Sequence, residues 1–361
     1  MFVNSSANSE AAVYETASQT WRTYAELRAD VRRLASSLDC GQKELVLSFC
    51  RNDLASLAWY LAGIEAGHAV ALLSADLPAE SRTPLIDAYR PEFITSSVEI
   101  AVAGTHERIG PVNHLWRRET PEAPPIHPDL ALLLSTSGST GSSKFVRLSA
   151  VNIRSNAESI VRALAIHAED RAITSLPLHY SYGLSVVNTH LLTGAALVLS
   201  DRPQTSPEFW AVIRENQCTS FAGVPYSYEI LNRLGLENLN VPSLHTLTQA
   251  GGKLRDDLIT AFSNAMERRR GRFFVMYGQT EAAARISVLP SHLVSAKLGS
   301  AGLPIPGGTV ETDASDGAEG ELIYSGPNVM MGYASCRDDL ALGDMLGGKL
   351  YTGDRARIDP E

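Results

Sequence analysis

The sequence predicts an α/β fold, because segments with a helical spacing of apolar residues alternate with short apolar runs. Over residues 24–38, apolar side chains recur every three or four positions beside charged ones, as in an amphipathic helix. The apolar runs 44–49 and 69–73 are predicted strands, and residues 54–66 between them form a predicted helix. This alternation of strands and helices is the signature of the α/β class.

The pattern continues along the chain and changes near its end. Further predicted elements are a strand at 130–134, a helix and strand within 184–199, a helix at 206–216, and strands at 219–222 and 244–248. Four prolines within 119–128 predict a linker between subdomains. From Lys297 onward, frequent glycine and proline and short strands such as 321–324 predict a small β-rich subdomain. The expected subdomains of the 1–361 region are roughly 1–120, 129–296 and 297–361.

Composition narrows the classes of function. The 361 residues include 44% hydrophobic and 20% charged residues, which is typical of a folded globular protein. A net charge of -9 disfavours nucleic acids and anionic membranes as main partners. The first ten residues lack the order of a signal peptide, and Glu65 and His68 interrupt the longest apolar stretch, so we expect a cytoplasmic protein without a membrane span. Four scattered cysteines without CxxC spacing do not support a zinc site.

A loop of glycines and hydroxyl residues follows the predicted strand at 130–134. Its candidate phosphate-binding residues are Thr136, Ser137, Gly138, Ser139, Thr140, Gly141 and Lys144. Glycines let the backbone turn its N–H groups inward, hydroxyls add short donors, and lysine adds positive charge. The spacing differs from a Walker A loop, and residues 145–148 read as a strand, so we expect the loop to lie between two strands.

Three further segments follow in order. Residues 249–253 read Gln-Ala-Gly-Gly-Lys after a predicted strand. Residues 273–277 form another predicted strand and lead into Tyr277-Gly278-Gln279-Thr280-Glu281, and residues 351–354 read Tyr-Thr-Gly-Asp. An aromatic face suits a purine, carboxylate oxygens suit a hard cation, and an aspartate with two oxygens suits a vicinal diol.

With these motifs, the chain resembles the adenylate-forming enzymes, which include acyl- and aryl-CoA synthetases, adenylation domains and firefly luciferase. The resemblance implies the fold of the family's large N-terminal domain, with mixed β-sheets flanked by helices and a small β-rich, barrel-like subdomain. The loop at 135–144 is similar to the family's signature loop, although Ser143 replaces the usual proline. Residues 277–281 resemble the family's YG-x-TE motif, and 351–354 resemble its YxTGD motif.

The resemblance implies a role for each motif residue. Tyr277 would stack on adenine beside Ala250, Gly251, Gly252, Gly278 and Gln279, and Asp354 would bind both ribose hydroxyls. Thr280 would hydrogen-bond the α-phosphate, and Glu281 with Thr140 would hold Mg²⁺. The implied catalytic residues are Thr280, Glu281 and Lys144, and the loop from Thr136 to Gly141 would bind ATP phosphates together with Lys144.

The resemblance also implies a pocket for a small carboxylic acid. Its expected residues are His179, Tyr182, Gly183, Val224 and Pro225. His179 fits either the border of the acyl group or an ordinary packing position. Residues 176–199 contain no acidic side chain, so we expect an acid without an α-amino group, because a buried ammonium ion needs a partner.

The implied reaction is attack of a carboxylate on ATP, giving acyl-AMP, followed by transfer to a thiol. The thiol would be coenzyme A or the phosphopantetheine of an acyl carrier protein. Relatives continue into a small C-terminal domain of roughly a hundred residues that carries a catalytic lysine, within the usual size of small domains. We expect that domain to be absent from these 361 residues, which would then bind ATP or acyl-adenylate but adenylate poorly; robust pyrophosphate exchange would contradict this.

Several alternatives stay open at this point. An amino-acid adenylation domain would show amino-acid-dependent pyrophosphate exchange, and a luciferase-like oxygenase would emit light with a luciferin. A non-catalytic nucleotide-binding module is an alternative from another class. The identity of the acid depends on side-chain packing that the sequence does not define.

Overall fold

The computed structural model describes residues 10–102, 106–109, 114–119, 123–136, 144–315 and 318–359. Within these residues the chain forms eight α-helices and twenty β-strands, and the strands are arranged in three sheets. The predicted α/β class with mixed sheets is confirmed.

The strands and helices are numbered in chain order. The strands are β1 (Ala11–Glu15), β2 (Thr20–Thr23), β3 (Leu45–Cys50), β4 (Ala69–Ser74), β5 (Phe93–Ser96), β6 (His106–Arg108), β7 (Leu115–Arg118), β8 (Leu130–Ser135), β9 (Phe145–Ser149), β10 (Arg171–Ile173), β11 (Ala196–Leu199), β12 (Ser220–Gly223), β13 (Thr246–Gln249), β14 (Arg272–Tyr277), β15 (Ser287–Leu289), β16 (Leu303–Pro304), β17 (Thr309–Thr312), β18 (Gly320–Ser325), β19 (Gly332–Ala334) and β20 (Lys349–Ala356). The helices are α1 (Tyr24–Ser37), α2 (Leu54–Glu65), α3 (Ala79–Tyr89), α4 (Ala150–Leu164), α5 (Ser181–Thr193), α6 (Pro207–Glu215), α7 (Pro225–Leu234) and α8 (Asp256–Arg268).

Helix α1 confirms the helix predicted at 24–38. Thr23 begins it with a capping box: its hydroxyl accepts the backbone N–H of Glu26 at 3.2 Å, and the Glu26 carboxylate accepts the N–H of Thr23 at 2.8 Å. The buried face includes Leu27, Val31 and Leu34 and packs against α2. Apolar spacing and a local cap together therefore define this helix.

The nine-stranded sheet has the order β16-β15-β14-β13-β12-β10-β11-β1-β2. Strands β1 and β10 to β14 form the parallel part of this sheet. At its two ends, β2 pairs antiparallel with β1, and β15 pairs antiparallel with β14. Because carboxyl ends of parallel strands meet at one edge, the segments after Gly223, Gln249 and Tyr277 lie at that edge. Such an edge is where open α/β sheets bind ligands.

The eight-stranded sheet has the order β19-β9-β8-β4-β3-β5-β7-β6. Strands β8 and β9 are antiparallel, with Ser135 opposite Phe145. The segment 136–144 therefore connects two neighbouring strands, which confirms the predicted position of the phosphate loop. Alternate residues of β4 face separate apolar clusters, Val70 and Leu72 on one face and Ala69, Ala71 and Leu73 on the other, so both faces of this sheet are covered.

The third sheet is small and antiparallel, with the order β17-β18-β20. Strand β18 contains the predicted strand 321–324, and the β-rich character expected after Lys297 is confirmed. In this sheet Ile323 of β18 pairs with Tyr351 of β20, and Asp354 lies further along β20.

Sheet membership crosses the limits of the subdomain ranges predicted from sequence. Strands β1 and β2 join the nine-stranded sheet through β11, whereas β8 and β9 join the same sheet as β3 to β7. The proline-rich segment 119–128 therefore lies between two strands of one sheet, β7 and β8. Prolines interrupt regular structure, but here they do not mark a change of sheet. Among the residues described, no helix is long and apolar enough to cross a bilayer.

Candidate functional site

A cleft of about 800 Å³ lies where residues after β13 and β14 face residues of β20. Most of the residues predicted to bind nucleotide or acid line it together. Those on its wall are Thr136, Tyr182, Ala250, Gly251, Gly252, Tyr277, Gly278, Gln279, Thr280, Glu281 and Asp354. Segments separated by more than two hundred residues therefore meet in one concave site, which is the usual form of a small-molecule pocket.

A hydrogen-bonded group of Tyr277, Gln279 and Asp354 joins two sheets across the cleft. The Tyr277 hydroxyl donates to Asp354 Oδ2 at 2.5 Å, and Gln279 Nε2 donates to the same oxygen at 2.8 Å. Gln279 also donates to the backbone oxygen of Thr352 at 2.9 Å. Burial, followed by the bond to Asp354, raises the pKa of Tyr277, so this phenol stays protonated as a donor.

The turn after β13 brings bare backbone to the cleft. Gly251 has φ +78°, and a Cβ there would lie 2.5 Å from the Tyr180 hydroxyl and 3.1 Å from Val224 Cγ1. Gln249 Nε2 donates to the backbone oxygen of Gly252 at 2.7 Å and closes the turn. The position therefore requires glycine for both its left-handed conformation and its tight packing.

Gly278 is required by a close backbone approach. A Cβ at this position would lie 2.0 Å from the backbone oxygen of Ala284. Ala283 has φ 53° and Ala284 has φ 120°, so the chain after the short 3₁₀ turn Thr280–Ala282 turns back sharply. Positive φ at non-glycine residues is uncommon and marks backbone that its surroundings hold in place.

Two side chains expected to act on phosphate lie on this turn. Thr280 is buried, and its hydroxyl lies 3.1 Å from the Ser181 hydroxyl at the start of α5. Glu281 Oε1 accepts a hydrogen bond from the Tyr333 hydroxyl of β19 at 2.8 Å. The Lys144 ammonium lies 3.4 Å from the centre of the Tyr333 ring, in a cation–π contact. A basic, an aromatic and an acidic side chain therefore form a row beside the cleft.

The predicted phosphate loop is described only at its two ends. Thr136 lines the cleft, and Lys144 precedes β9. Ser137, Gly138, Ser139, Thr140 and Gly141 lie outside the described residues. Since β8 and β9 are paired at Ser135 and Phe145, both ends of the loop begin at the edge of the eight-stranded sheet.

The residues expected to bind the acid divide into two groups. Tyr182 lines the cleft, where its hydroxyl donates to the backbone oxygen of Thr248 at 2.9 Å. Val224 and Pro225 lie next to the turn at Gly251 and Gly252, and Gly183 packs against the carbonyl groups of residues 176 and 177. These three positions support the wall, and the structure does not place them on the surface of the cleft.

His179 also lies off the cleft wall. Its Nδ1 atom is buried and has no hydrogen-bond partner among the residues described. Burial lowers the pKa of His179, so the ring is neutral near pH 7. His179 therefore does not line the cleft. Because its Nδ1 atom lacks a hydrogen bond to the described residues, the ring is not an ordinary, fully hydrogen-bonded packing residue either.

Sequence reasoning missed a buried arginine in this site. Arg285 is 1% exposed and lines both the cleft and a smaller cavity behind it. Its guanidinium carbon lies 4.6 Å from the centre of the Tyr182 ring. The signal in the sequence that could have identified this arginine was its single charge within the run Ala282-Ala283-Ala284-Arg285-Ile286, four positions after Glu281.

Comparisons with known proteins agree on one family for this chain. Residues 2–334 match the family described as AMP-binding enzyme. The chain is 32% identical over 251 residues to feruloyl-CoA synthase from Amycolatopsis sp, covering 67% of this chain and 50% of that protein. It is also 32% identical over 249 residues to 2-succinylbenzoate–CoA ligase from Bacillus velezensis, covering 67% of this chain and 49% of that protein.

A solved structure extends the comparison to the fold. The complex of VinN with L-aspartate superposes with a TM-score of 0.80 at 26% identity, covering 97% of this chain and 92% of that chain. The chain spans about half the length of the curated relatives it matches, and those relatives are named as CoA synthases or ligases. The cleft motifs, the fold and the family match agree, and the chain belongs to the AMP-binding family of adenylate-forming enzymes.

Proposed function

We propose that this chain binds ATP and a carboxylic acid and converts them to an acyl-adenylate, which then reacts with a thiol. One observation carries the proposal. Tyr277, Gln279 and Asp354 form a hydrogen-bonded group in the same cleft as Thr280 and Glu281. An aromatic face, a diol acceptor and groups that bind phosphate are the chemical needs of an adenylate.

The proposed chemistry needs no protein nucleophile. A carboxylate oxygen of the acid attacks the α-phosphorus of ATP, and pyrophosphate leaves with the electron pair of the broken P–O bond. A thiolate sulfur then attacks the acyl carbon, and AMP leaves as the C–O bond breaks. Positioning of the two reactants and neutralisation of phosphate charge are the contributions expected from the chain.

Each described residue has a proposed task. Asp354 Oδ2 accepts hydrogen bonds from Tyr277 and Gln279. A carboxylate has about four lone-pair sites, so the remaining sites can accept hydrogen bonds from both ribose hydroxyls. Thr280 donates to the α-phosphate, and Lys144 leaves the Tyr333 ring to reach a phosphate oxygen. Ala250, Gly251 and Gly252 place backbone against the adenine.

The donors present fit Mg²⁺ bound together with nucleotide. Mg²⁺ takes one or two carboxylates and completes its shell with phosphate oxygens and water. Glu281 offers one carboxylate on the cleft wall, held at one oxygen by Tyr333, and we propose Thr140 as its partner. When bound, Mg²⁺ neutralises negative charge on the phosphates.

Coenzyme A is the acceptor thiol that we propose, because the relatives above are named for coenzyme A. The phosphopantetheine of an acyl carrier protein is the alternative acceptor. An amino-acid substrate is a second candidate, since the VinN complex contains L-aspartate. Against it, residues 176–199 supply no carboxylate for an ammonium group.

Calorimetry and thermal unfolding test the proposal on the 361-residue chain. We expect AMP and Mg²⁺-ATP to bind with one site each, and we expect an acid from a panel to raise the unfolding temperature further when nucleotide is present. Absence of AMP binding would contradict the proposal. Nucleotide binding without an added effect of any acid would instead favour a non-catalytic nucleotide-binding module.

A further inference from the structure

Arg285 occupies the wall between two cavities. The cleft and a smaller inner cavity of about 40 Å³ share Tyr182, Met276 and Arg285 on their walls. The residues that we assign to adenine, ribose and phosphate, such as Tyr277, Thr280 and Asp354, do not line the inner cavity. Arg285 therefore lies on the side of the cleft that leads away from the nucleotide.

The guanidinium of Arg285 lacks the partners that a buried charge needs. Its Nε atom is buried without a hydrogen bond, and in the described ranges no carboxylate lies within 4.0 Å of any of its nitrogens. Burial lowers the pKa of Arg285 from its usual value, although arginine stays charged at neutral pH. The Tyr182 ring lies 4.6 Å from the guanidinium carbon in a cation–π contact, and this contact brings no negative charge to the cation.

Two other buried arginines show how this chain normally satisfies such a group. Arg337 forms an ion pair with Glu92 at 2.8 Å. Arg147 donates to backbone oxygens, including those of Tyr333 at 3.1 Å and Met331 at 3.0 Å. Arg285 is 1% exposed, as is Arg337, and Arg147 is 0% exposed, yet among the described residues Arg285 has neither kind of partner. An unpaired buried charge is costly, so its presence here indicates a partner that arrives with a ligand.

The backbone that carries Arg285 is firmly held. The backbone oxygen of Arg285 accepts from Asn156 Nδ2 at 3.1 Å and from Asn328 Nδ2 at 3.0 Å, and both asparagines are buried. The preceding Ala284 has φ 120°, which costs energy for a residue with a side chain. This arrangement places the guanidinium between the cavities before any ligand binds, as a binding group requires.

The charged residues that share the inner cavity already have partners of their own. Asp170 accepts from the Thr219 hydroxyl at 3.0 Å, and Arg272 donates to the backbone oxygen of Leu164 at 2.8 Å. Asp170 is therefore not the missing counterion of Arg285, and Arg272 is itself a cation.

We propose that Arg285 binds a second anionic group of the acid substrate, a carboxylate distant from the one that is adenylated. The substrate class is then dicarboxylic acids, with one carboxylate at the nucleotide and the other at the guanidinium. A planar guanidinium binds a carboxylate through two parallel hydrogen bonds, which makes it selective for this group. This inference rests on the proposed function, because it extends the acid site of that reaction.

Paired analogues test the proposal without any variant. Sulfamoyl-adenosine analogues of the acyl-adenylate are prepared with butanedioyl, pentanedioyl and hexanedioyl groups, and each is compared with its monocarboxylic partner of equal length. Dissociation constants are measured by calorimetry on the 361-residue chain. We expect at least one dicarboxylic analogue to bind roughly ten- to hundred-fold more tightly than its partner, the range for hydrogen bonds to a charged group.

Variants then locate the effect. Arg285→Gln should remove the preference, so that each dicarboxylic analogue binds no more tightly than its monocarboxylic partner, whereas Arg285→Lys should retain part of the preference through its charge. Arg171→Gln is the matched control, since Arg171 is a partly buried arginine of β10 outside both cavities, and it should keep the full preference. Thermal unfolding confirms that each variant is folded.

The outcomes separate this inference from the proposed function. Equal affinity of every dicarboxylic analogue and its partner, with all of them binding, overturns the role of Arg285 and leaves adenylate binding intact. Absence of binding for all analogues and for AMP overturns the proposed function itself. A preference that survives in Arg285→Gln overturns the assignment of this residue.

Discussion

The Tyr277 hydroxyl donates a hydrogen bond to Asp354 at 2.5 Å, although the two residues belong to different sheets. Tyr277 ends β14 of the nine-stranded sheet, and Asp354 lies on β20 of the three-stranded sheet. Because this bond joins two residues of the cleft wall, it fixes the position of the carboxylate that we assign to ribose relative to the ring that we assign to adenine. The proposed nucleotide site is therefore formed without a bound nucleotide.

The two parts of Tyr277 should have separable effects on AMP binding. Tyr277→Phe keeps the aromatic face and loses the bond to Asp354, so we expect a loss of affinity of about 1 kcal/mol. Tyr277→Leu removes the face as well and should cost roughly 1–3 kcal/mol more. Calorimetric titration with AMP measures both, and equal losses in the two variants would exclude stacking on this ring.

Substitution of Gly278 should displace the backbone that forms part of the cleft wall. In Gly278→Ala the new Cβ would meet the Ala284 oxygen at 2.0 Å, so the turn must move. We expect a loss of roughly 1–3 kcal/mol in the free energy of unfolding, together with weaker AMP binding. Gly343→Ala is the control, because its nearest neighbour would be His127 Nε2 at 3.4 Å. Similar behaviour of the two variants in urea unfolding would contradict the close approach.

Removal of the unpaired charge should stabilise the ligand-free chain. Arg285→Met replaces a buried guanidinium, which has no counterion among the described residues, by an apolar side chain, and we expect a higher temperature of unfolding. Arg337→Met should act in the opposite direction, because it leaves Glu92 buried without its partner. Differential scanning calorimetry compares the three proteins, and a lower unfolding temperature for Arg285→Met would mean that Arg285 has a structural role.

The free energy of unfolding should fall as the pH is lowered below the usual pKa of a histidine side chain. His68 Nδ1 accepts the backbone N–H of Glu44 at 3.1 Å, and burial lowers the pKa of His68 below its usual value of 6.5. Below about pH 6.5 the unfolded chain therefore binds a proton that the folded chain does not, so the free energy of unfolding decreases.

A variant isolates this contribution. His68→Asn keeps an acceptor for Glu44 and cannot titrate, so its urea midpoint should change less between pH 7.5 and pH 5.5 than that of the unsubstituted chain. The same pH dependence in both proteins would show that His68 does not contribute.

Local signals in the sequence predicted much of the fold and of the site. Apolar spacing gave α1, α2 and β4 within one or two residues, because these elements combine a strong periodicity with clear ends. Motif residues such as Tyr277, Gly251 and Asp354 were predicted to share a site, and they line one cleft. Their assigned roles in binding nucleotide remain predictions.

Features that depend on distant partners were not predicted. Strand β1 pairs with β11, and β19 pairs with β9, across separations in sequence that local patterns do not encode. Tyr333 enters the site only through that second pairing. Arg285 was missed for a related reason: arginine is mostly exposed, and only the packed structure shows this one buried between two cavities.

Calorimetric titration of AMP into the 361-residue chain and its Asp354→Ala variant measures whether Asp354 belongs to an AMP site. We expect AMP to bind the unsubstituted chain and to bind Asp354→Ala roughly ten- to hundred-fold more weakly, because the variant lacks the charged acceptor for the ribose hydroxyls. Asp338→Asn, an exposed aspartate paired with Arg90 on the surface, should leave the affinity unchanged. Equal affinity of AMP for the unsubstituted chain and Asp354→Ala, or no binding to either, would contradict the account.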